Sequence, residues 1–347
     1  YEASLANSLE YLGHSTQIVS WLPFFVSEEN SEAELLPHKS KLHRLSERFA
    51  TGHANGRFNR EVARTIADWR PDVLFLFNAK QVRPQIVAEV RQSHPEVFIV
   101  QYSNDNPFSR QSSWSRWRHV RSLVPLCDLN LAHRLANVED LKSHGASWTE
   151  FWRSACTPQD LEVGNMHLKK NGQVLFAGHY ENDGRDSALE ALLQSGVPLE
   201  VRGGGWEAWR STPAARGTLL STLTLSPLNP EEYRLAVASA DVALTFLSKL
   251  NEDTYTRRSF EIPALNTAQL SEYSADLASL FEENEEIVFF RNPDDLVEKA
   301  IKMMSDPAWT MSLAAKGHRR ILQDGHDMHS RAQQLIAWIE PALAQRT

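Results

Sequence analysis

The chain has 347 residues, of which 42% are hydrophobic and 23% charged, a composition typical of a globular protein of about two domains. Lys and Arg number 36 against 44 Asp and Glu, and the resulting net charge of −8 argues against a nucleic-acid-binding protein. The two cysteines, Cys127 and Cys156, lack the spacing of a zinc site or a disulfide scaffold. No stretch reaches the roughly 18 apolar residues that span a bilayer. Since no secretory signal is visible, we expect a cytoplasmic protein.

Helices and short apolar strands alternate through the first half of the chain. Leucines at helical spacing predict a helix over 1–12, closed by Gly13, and an apolar run predicts a strand over 16–21. Residues 27–56 are polar and favour helix within an irregular connection. Helices are then predicted at 57–69, 83–93, 112–123 and 135–144, and strands at 73–77, 97–102, 126–131 and 148–152. This alternation is typical of a parallel sheet covered on both faces, and we expect its first strand to be missing from the sequence.

A polar stretch at 156–173 predicts the junction between two domains, 1–160 and 161–327. The alternation then restarts with strands at 174–177, 199–202, 242–246, 267–270 and 287–290. The accompanying helices are predicted at 186–194, 230–238, 256–264, before 281, and at 293–305, 307–323 and 328–344. The sequence therefore predicts two doubly wound α/β domains in tandem.

Two loops of the second domain carry glycines where strands end, and ligands of open parallel sheets bind beyond those strand ends. Gly178 opens one loop, and Gly203, Gly204 and Gly205 form the other. A backbone without Cβ can approach a diphosphate and offer its N–H groups. The other interpretation is a tight strand-to-helix turn. Neither the dinucleotide-binding motif nor the P-loop motif is present.

The segment 253–261 combines a helix start with charged residues. Asp253 or Thr254 can cap the helix that follows, whose backbone N–H groups would then face an anion. Arg257 and Arg258 add positive charge at the same end. Glu261 is spaced to accept hydrogen bonds from the two hydroxyls of a ribose. In the simpler interpretation Asp253 is only a cap, and Arg257 and Glu261 form an i,i+4 ion pair on a solvated helix.

The run TRRSFEIPA at 256–264, followed by LSE at 270–272, resembles the signature of the CgeB-like glycosyltransferases, which belong to the GT-B-fold transferases. Further matches follow in order: LF at 280–281, VFF at 288–290, DP at 306–307 and GHRR at 317–320. Upstream, Gly178 and the GGGW of 203–206 resemble that family's strand-end glycine and turn. The chain departs from the family at 265–267, where LNT replaces the usual Cys-Gly-Gly. The resemblance is good over 174–339 and weaker over 72–158.

The resemblance implies a bacterial, cytoplasmic glycosyltransferase of glycan or glycoconjugate biosynthesis. Its two Rossmann-like domains would face each other across a cleft, and residues 328–347 would pack back on the first. The second domain would bind a nucleotide-diphosphate sugar, and the first a saccharide, lipid-linked or protein acceptor. Retention of configuration and independence from metals are implied in the same way, with no cofactor besides the donor. Asp253 and Glu261 have the eight-residue spacing of the acidic pair of many retaining GT-B enzymes, the first near the donor sugar and the second on the ribose.

The candidate site residues fall into three groups. The catalytic candidates are Asp253, Arg258 and Asp105. The candidates for binding the donor nucleotide are Gly178, Arg185, Gly203, Gly204, Gly205, Trp206, Tyr255, Thr256, Arg257, Arg258 and Glu261. The candidates on the acceptor side are Asn104, Asp105 and Asn106. No metal ligands are predicted.

Other interpretations stay open. Arg110, Trp114, Arg118 and Arg121 form a basic, aromatic surface around the helix at 112–123. That surface would suit an anionic acceptor or peripheral contact with the inner membrane face, or it is an ordinary solvated helix. A GT-B-fold nucleotide-sugar epimerase and a non-catalytic nucleotide or sugar binder remain as alternative functions.

Overall fold

The computed structural model describes residues 2–25, 49–111 and 113–346. The connection predicted over 27–56 lies mostly outside these residues. The chain divides into two compact units: unit 1 is Tyr1–Arg153 with Ala332–Thr347, and unit 2 is Ser154–Arg331. Unit 2 thus starts earlier than the predicted 161, because residues around the predicted junction fold into a helix of that unit, Pro158–Gly164.

Unit 1 contains a parallel sheet of four strands in the order β1-β2-β3-β4. Its strands are β1 Val73–Phe77, β2 Phe98–Ser103, β3 Leu129–Ala132 and β4 Thr149–Phe151. Its described helices are α1 Glu2–Tyr11, α2 Leu22–Phe25, α3 Gly52–Trp69, α4 Pro84–Ser93, α5 Trp114–Leu123 and α6 Ala136–Ser143, with a 3-10 turn at Val124–Leu126. The last helix of the chain, α15 Met328–Leu343, lies mostly in this unit.

Unit 2 contains a parallel sheet of five strands in the order β6-β5-β7-β8-β9. Its strands are β5 Val174–Ala177, β6 Leu199–Arg202, β7 Val242–Thr245, β8 Ala268–Glu272 and β9 Val288–Phe290. Its helices are α7 Pro158–Gly164, α8 Arg185–Gln194, α9 Trp206–Arg210, α10 Pro230–Ser239, α11 Arg258–Ala264, α12 Ala275–Ala278, α13 Pro293–Ser305 and α14 Pro307–Gln323. The sequence analysis missed α7, α9 and the 3-10 turns at Pro213–Ala215 and Leu220–Thr222.

The strand predicted over 16–21 is wrong. No described strand pairs with this segment, and Ile18 is 52% exposed. Val19 and Trp21 pack instead on the core of unit 1, which contains Phe58, Val62 and the β2 residue Ile99. Their spacing matches that of a half-buried strand, but a strand also needs a neighbouring backbone to pair with.

Local signals explain why the helices of unit 2 were easiest to predict. Asn229 caps α10 in a capping box with Glu232, Asn292 caps α13, and Asp306 caps α14, each immediately before a proline. Such caps satisfy the first free N–H groups, and proline at the first helical position needs no hydrogen-bond partner. These capped helices cover a sheet whose strands are almost entirely buried.

Candidate functional site

The sheet of unit 2 reverses its winding direction between β5 and β7, since β6 lies on one side of this pair and β8 and β9 on the other. At such a switch point the loops after the two central strands diverge, and ligands bind in the crevice between them. The two loops are residues 178–184, after β5, and 246–257, after β7. Arg258, the first residue of α11, reaches back from the second loop and donates from Nε to the Ala177 carbonyl at the end of β5. We therefore place the candidate site at this edge of unit 2.

The predicted glycines are required by the packing of two neighbouring loops. Gly203 has a φ of +151°, and a Cβ there would lie 2.0 Å from the carbonyl oxygen of Gly178. A Cβ on Gly204 would lie 2.7 Å from the ring of His179. The Gly204 carbonyl accepts a hydrogen bond from the Tyr180 amide at 2.9 Å. This geometry is what the tight-turn interpretation predicts, and a diphosphate contact remains an additional proposal.

Two aromatic residues predicted to bind the donor belong to the core. The side chains of Trp206 and Tyr255 are completely buried, so neither presents a ring to a ligand in this structure. The Trp206 indole donates to the Gly178 carbonyl at 2.8 Å. Tyr255 packs edge-on against Phe260, and its hydroxyl accepts from the Ser154 amide at 3.4 Å. Both large apolar rings hold the loops from inside, and their predicted role in donor binding stays a prediction.

Arg185 also acts inside the protein. It is 5% exposed, and its Nε and Nη2 donate to both carboxylate oxygens of Asp183 at 2.8 and 2.6 Å. Its Nη1 donates to the His179 carbonyl at 2.7 Å. Such a two-pronged bond fixes the guanidinium, and here it shapes the loop after β5. The Arg185 guanidinium is therefore buried and bonded within the loop, and its contact with the donor stays a prediction.

The predicted cap of the site helix is wrong. α11 starts at Arg258, Arg257 occupies the N-cap position in helical conformation, and no side chain caps the helix. Thr254 donates its hydroxyl to Asp276 at 2.7 Å instead. Asp253 lies four residues before the N-cap, too early for a cap contact. The helix is only seven residues long, so the positive character of this end comes mainly from the two arginines.

Glu261 is a buried carboxylate held from two sides. Its side chain is 8% exposed and forms an ion pair through Oε1 with Arg257, whose side chain is 34% exposed. The Tyr233 hydroxyl donates to Oε2 at 3.1 Å. The i,i+4 pair of the simpler interpretation thus exists, but it is not solvated. Since a carboxylate has about four lone-pair sites, Glu261 can still accept hydrogen bonds from a ligand.

Arg258 brings a second positive charge to the end of β5. Its guanidinium lies 5.8 Å from the centre of the Tyr233 ring. Partial burial, together with the charge of Arg258, lowers the pKa of His179 below its usual value. At neutral pH a neutral imidazole therefore lies in the loop beside the arginine. Neither His179 nor Tyr233 is among the residues predicted from the sequence, because neither belongs to a recognisable motif.

The C-terminal end of α11 is held tightly between two other helices. A Cβ on Gly164, the last residue of α7, would lie 2.1 Å from the Ala264 carbonyl oxygen. On the other side, a Cβ on Gly317 of α14 would lie 3.3 Å from the Pro263 side chain. The neighbouring His318 places Nδ1 3.0 Å from the Ala264 carbonyl oxygen. Close backbone packing therefore fixes the helix that carries Arg258 and Glu261.

In unit 1, the predicted acceptor-side asparagines are bonded within the protein. Asn78 donates from Nδ2 to Asn104 Oδ1 at 2.6 Å. Asn106 is 3% exposed, and its Oδ1 accepts from the Phe108 amide at 3.0 Å and from Asn137 Nδ2 at 3.1 Å. Both side chains hold the loop after β2 in shape, and the acceptor contact predicted for the buried Asn106 stays a prediction.

Asp105 is the acidic member of the same loop. It forms an ion pair with Lys80 at 2.7 Å, and its side chain is 35% exposed. The Lys80 ammonium also lies 4.0 Å from the centre of the Trp117 ring. Burial lowers the pKa of Lys80, and the charge of Asp105 opposes that shift. Asp105 remains accessible from solvent, as its predicted acceptor contact requires.

Two arginines of the basic helix α5 form hydrogen bonds within the protein. Trp117, Val120 and Val124 are buried, as the sequence predicts. Arg118 donates to the Phe49 carbonyl, and Arg121 donates from Nε to the Pro107 carbonyl at 2.7 Å. Arg110 and Trp114 are exposed, Trp114 by 70%. The predicted basic surface is thus smaller than the sequence suggests.

Two further features of the described residues concern metals and membranes. They contain no group of three or more His, Cys, Asp or Glu arranged to hold a metal ion. No helix among them is both long enough and apolar enough to cross a membrane.

Residues 185–337 match a family model described as glycosyl transferase-like. The match begins at α8, extends through the rest of unit 2 and ends within α15. This description is broader than the CgeB-like resemblance, which stays a prediction. The search of curated proteins finds no match.

Solved structures similar to this chain share its architecture at low identity. Sucrose-phosphate synthase from Thermosynechococcus elongatus is 15% identical, with a TM-score of 0.69 over 99% of this chain and 93% of its own. A UDP-N-acetylglucosamine 2-epimerase homologue from Listeria monocytogenes is 11% identical, with a TM-score of 0.58 and the same coverage. HepE from Anabaena, in complex with UDP-glucose, is 12% identical, with a TM-score of 0.58 over 82% of each chain. These likenesses confirm the predicted α/β fold class, that of the GT-B proteins with their two Rossmann-like domains.

Proposed function

We propose that this chain is a GT-B glycosyltransferase that moves a sugar from a nucleotide-diphosphate sugar to an acceptor hydroxyl. The observation that carries the proposal is the arrangement at the start of α11. There the buried Glu261 is held by Arg257 and Tyr233, and the side chain of Arg258 reaches the end of β5 at the switch point of the sheet. These residues lie within the segment that matches the glycosyl transferase-like family.

Glu261 is proposed to read the ribose of the donor. A buried carboxylate that accepts hydrogen bonds from two vicinal hydroxyls gains charge-assisted bonds, which are stronger than those between neutral groups. HepE has a fold similar to that of this chain, and its structures contain UDP-glucose or UDP. This similarity supports a nucleotide-sugar donor here.

Arg258 is proposed to stabilise the leaving diphosphate. Charge builds on that group mainly in the transition state, where a fixed guanidinium contributes most. Thr256 and the backbone of Gly204 and Gly205 are proposed as further diphosphate contacts. Asp253 is proposed to lie near the donor sugar, and Asp105 to contact the acceptor. Retention of configuration and independence from metals belong to the same proposal, and activity that persists in excess chelator would support the latter.

The central experiment is a nucleotide titration of Glu261→Ala. Loss of even one charge-assisted bond should weaken binding at least about tenfold, since about 1.4 kcal/mol corresponds to a factor of ten. Calorimetry with the ribonucleoside diphosphate that most raises the Tm of the wild type measures the effect. Glu207→Ala, which removes an exposed carboxylate paired with Arg210 in the same unit, is the matched control and should leave affinity unchanged.

A folded Glu261→Ala protein with wild-type nucleotide affinity would contradict the ribose assignment. Arg258→Ala separates the second role from the first, because its turnover should fall more than its nucleotide affinity. Equal losses in both would indicate that Arg258 acts in the ground state instead.

The epimerase remains the second candidate, since the Listeria structure is similar over nearly the whole of this chain. An epimerase acts on one nucleotide sugar without an acceptor. Product analysis separates the two functions, because only a transferase produces a glycosylated acceptor together with free nucleoside diphosphate. A protein that binds nucleotide but releases neither product would be a non-catalytic binder.

A further inference from the structure

One side chain contacts both charged groups of the proposed donor site. Tyr233 lies on α10, 28 positions before Glu261, and its hydroxyl donates to Glu261 Oε2 at 3.1 Å. Arg257 pairs with the other carboxylate oxygen, Oε1. Tyrosine and arginine therefore hold the two oxygens from different sides and fix the rotation of the carboxylate.

The ring of Tyr233 faces the second charged group. The Arg258 guanidinium lies 5.8 Å from the ring centre, within the range in which an aromatic face attracts a cation. Arg258 is also fixed through Nε at the Ala177 carbonyl. The hydroxyl and the ring of one tyrosine thus act on two different residues, which makes the two contacts separable by mutation.

Tyr233 itself is presented by a rigid element. Next to it, Arg234 forms an ion pair at 2.8 Å with Asp160, a carboxylate that is 1% exposed. The Asn229 capping box fixes the start of α10. At its other end, the Lys170 ammonium donates to the Ala238 carbonyl at 2.9 Å. A group that orients a binding residue is effective only when its own position is fixed, and α10 meets that condition.

We propose that Tyr233 is a positioning residue, whose hydroxyl orients the Glu261 carboxylate toward the ribose hydroxyls of the donor and whose ring supports Arg258. The proposal rests on the proposed function, since it assumes that Glu261 reads a ribose. Burial raises the pKa of Tyr233 well above its ordinary value, and the Glu261 charge adds to this shift. The phenol therefore stays protonated at neutral pH and remains a donor to the carboxylate.

The test compares matched ribonucleotides and 2′-deoxyribonucleotides: UDP with 2′-deoxy-UDP, GDP with 2′-deoxy-GDP, and ADP with 2′-deoxy-ADP. Affinities are measured by calorimetry for the wild type, Tyr233→Phe and Glu261→Ala. Tyr233→Phe removes only the hydroxyl, so the preference for the ribonucleotide should fall about three- to tenfold in the folded variant. Tyr273→Phe is the control. That tyrosine is 40% exposed and contacts Arg291 and Phe289, so its change should leave the preference unaltered.

A second variant tests the ring. Tyr233→Leu removes both contacts and should lower turnover as well as ribose preference, whereas Tyr233→Phe should keep wild-type turnover within about twofold. If Tyr233 had only a structural role, both variants would lower the Tm and leave the preference unchanged. That outcome would overturn the proposal.

The outcomes also distinguish this proposal from the proposed function. If the wild type binds none of the six nucleotides, or if Glu261→Ala keeps the full ribose preference, the ribose assignment fails and the inference falls with it. If Glu261→Ala abolishes the preference while Tyr233→Phe retains it, only the role of Tyr233 is refuted. If Glu261→Ala and Tyr233→Phe both lose the preference for the ribonucleotide, the ribose assignment and the positioning role of Tyr233 are both supported.

Discussion

The loops at the carboxyl ends of the two sheets are held in different ways. In unit 1, the loop after β2 is held by side chains: Asn104 and Asn106 bond to other asparagines, and Asp105 pairs with Lys80. In unit 2, Gly203 brings the backbone of one loop against Gly178 of the next. The unit 2 loops therefore contact each other through backbone atoms, whereas the asparagine side chains of the unit 1 loop are used in its own structure.

The comparison shows that polar residues at strand ends do not by themselves define a site. The asparagines of unit 1 satisfy one another, as buried polar groups must. Glu261 and Arg258 are also bonded, but each retains a charge and is fixed at the switch point of a sheet. Charge that remains after internal bonding distinguishes the binding candidates, including Asp105 in unit 1, from the structural asparagines.

The largest effect is expected at the backbone contact of unit 2. Gly203→Ala places a Cβ 2.0 Å from a backbone oxygen that has no room to move. We expect the free energy of unfolding to fall by about 3 kcal/mol or more, as for other severe overpacking. Gly172→Ala is the control, because its φ is +78° but nothing lies within 4 Å, so only about 1 kcal/mol should be lost. Urea unfolding of both variants measures the difference, and equal losses would mean that backbone contact is unimportant here.

A smaller effect, dependent on pH, is expected in unit 1. Burial, and then the charges of Arg134 and Arg153, lower the pKa of His133 well below its usual value, and its Nδ1 lies 2.7 Å from the Tyr102 hydroxyl. Below about pH 6.5 the unfolded chain therefore binds a proton that the folded chain does not. The free energy of unfolding should therefore fall between pH 7.5 and pH 5.5, by about 1 kcal/mol for this group.

The variant His133→Gln should lose that part of the pH dependence, as measured by urea unfolding at pH 7.5 and 5.5. The exposed His14 provides the control: His14→Gln should keep the wild-type slope. A wild-type slope in His133→Gln would assign the acid sensitivity to other groups.

The smallest effect is expected at the unit 1 ion pair. Asp105→Asn leaves the half-buried Lys80 without its counter-charge, and we expect a loss of about 1 kcal/mol in the free energy of unfolding. Nucleotide affinity should stay unchanged, in contrast to Glu261→Ala. Glu139→Gln breaks an exposed pair with Lys142 in the same unit and should cost much less, because surface pairs contribute little. Weaker nucleotide binding in Asp105→Asn would remove the contrast between the two loops.

The elements with strong local signals were predicted to within a residue or two. β1 and β5 are short apolar runs, and β6 alternates apolar and charged residues. α13 and α14 begin with a cap and a proline, so their bounds follow from neighbouring residues. The wrong strand at 16–21 and the wrong cap of α11 share a cause. In both, the local pattern is right but the expected partner does not match. No strand among the described residues pairs with 16–21, and Thr254 bonds to Asp276 instead of capping α11.

The site was predicted in part for the same reason. Arg257, Arg258 and Glu261 form a motif within five residues, so their proximity follows from helical spacing. Tyr233 and Glu261 come together only in the folded unit, where α10 and α11 both pack against α7. Trp206 and Tyr255 have the side chains of ligand-binding residues but are buried, and sequence alone does not distinguish the two environments.

The clamp on the C-terminal end of α11 has a consequence for mutational tolerance. At Gly164 and Gly317 the missing side chain provides space, because backbone oxygens lie 2.1 and 2.9 Å from where a Cβ would be. Neither position is close in sequence to the loops of the site. A side chain at Gly164 would nevertheless displace Ala264 in the helix that carries Glu261, and one at Gly317 would press on the Glu286 carbonyl and on Pro263 of that helix. In a saturation library selected for transfer activity, both positions should therefore admit glycine alone, while the open Gly172 and Gly196 should tolerate substitutions to asparagine.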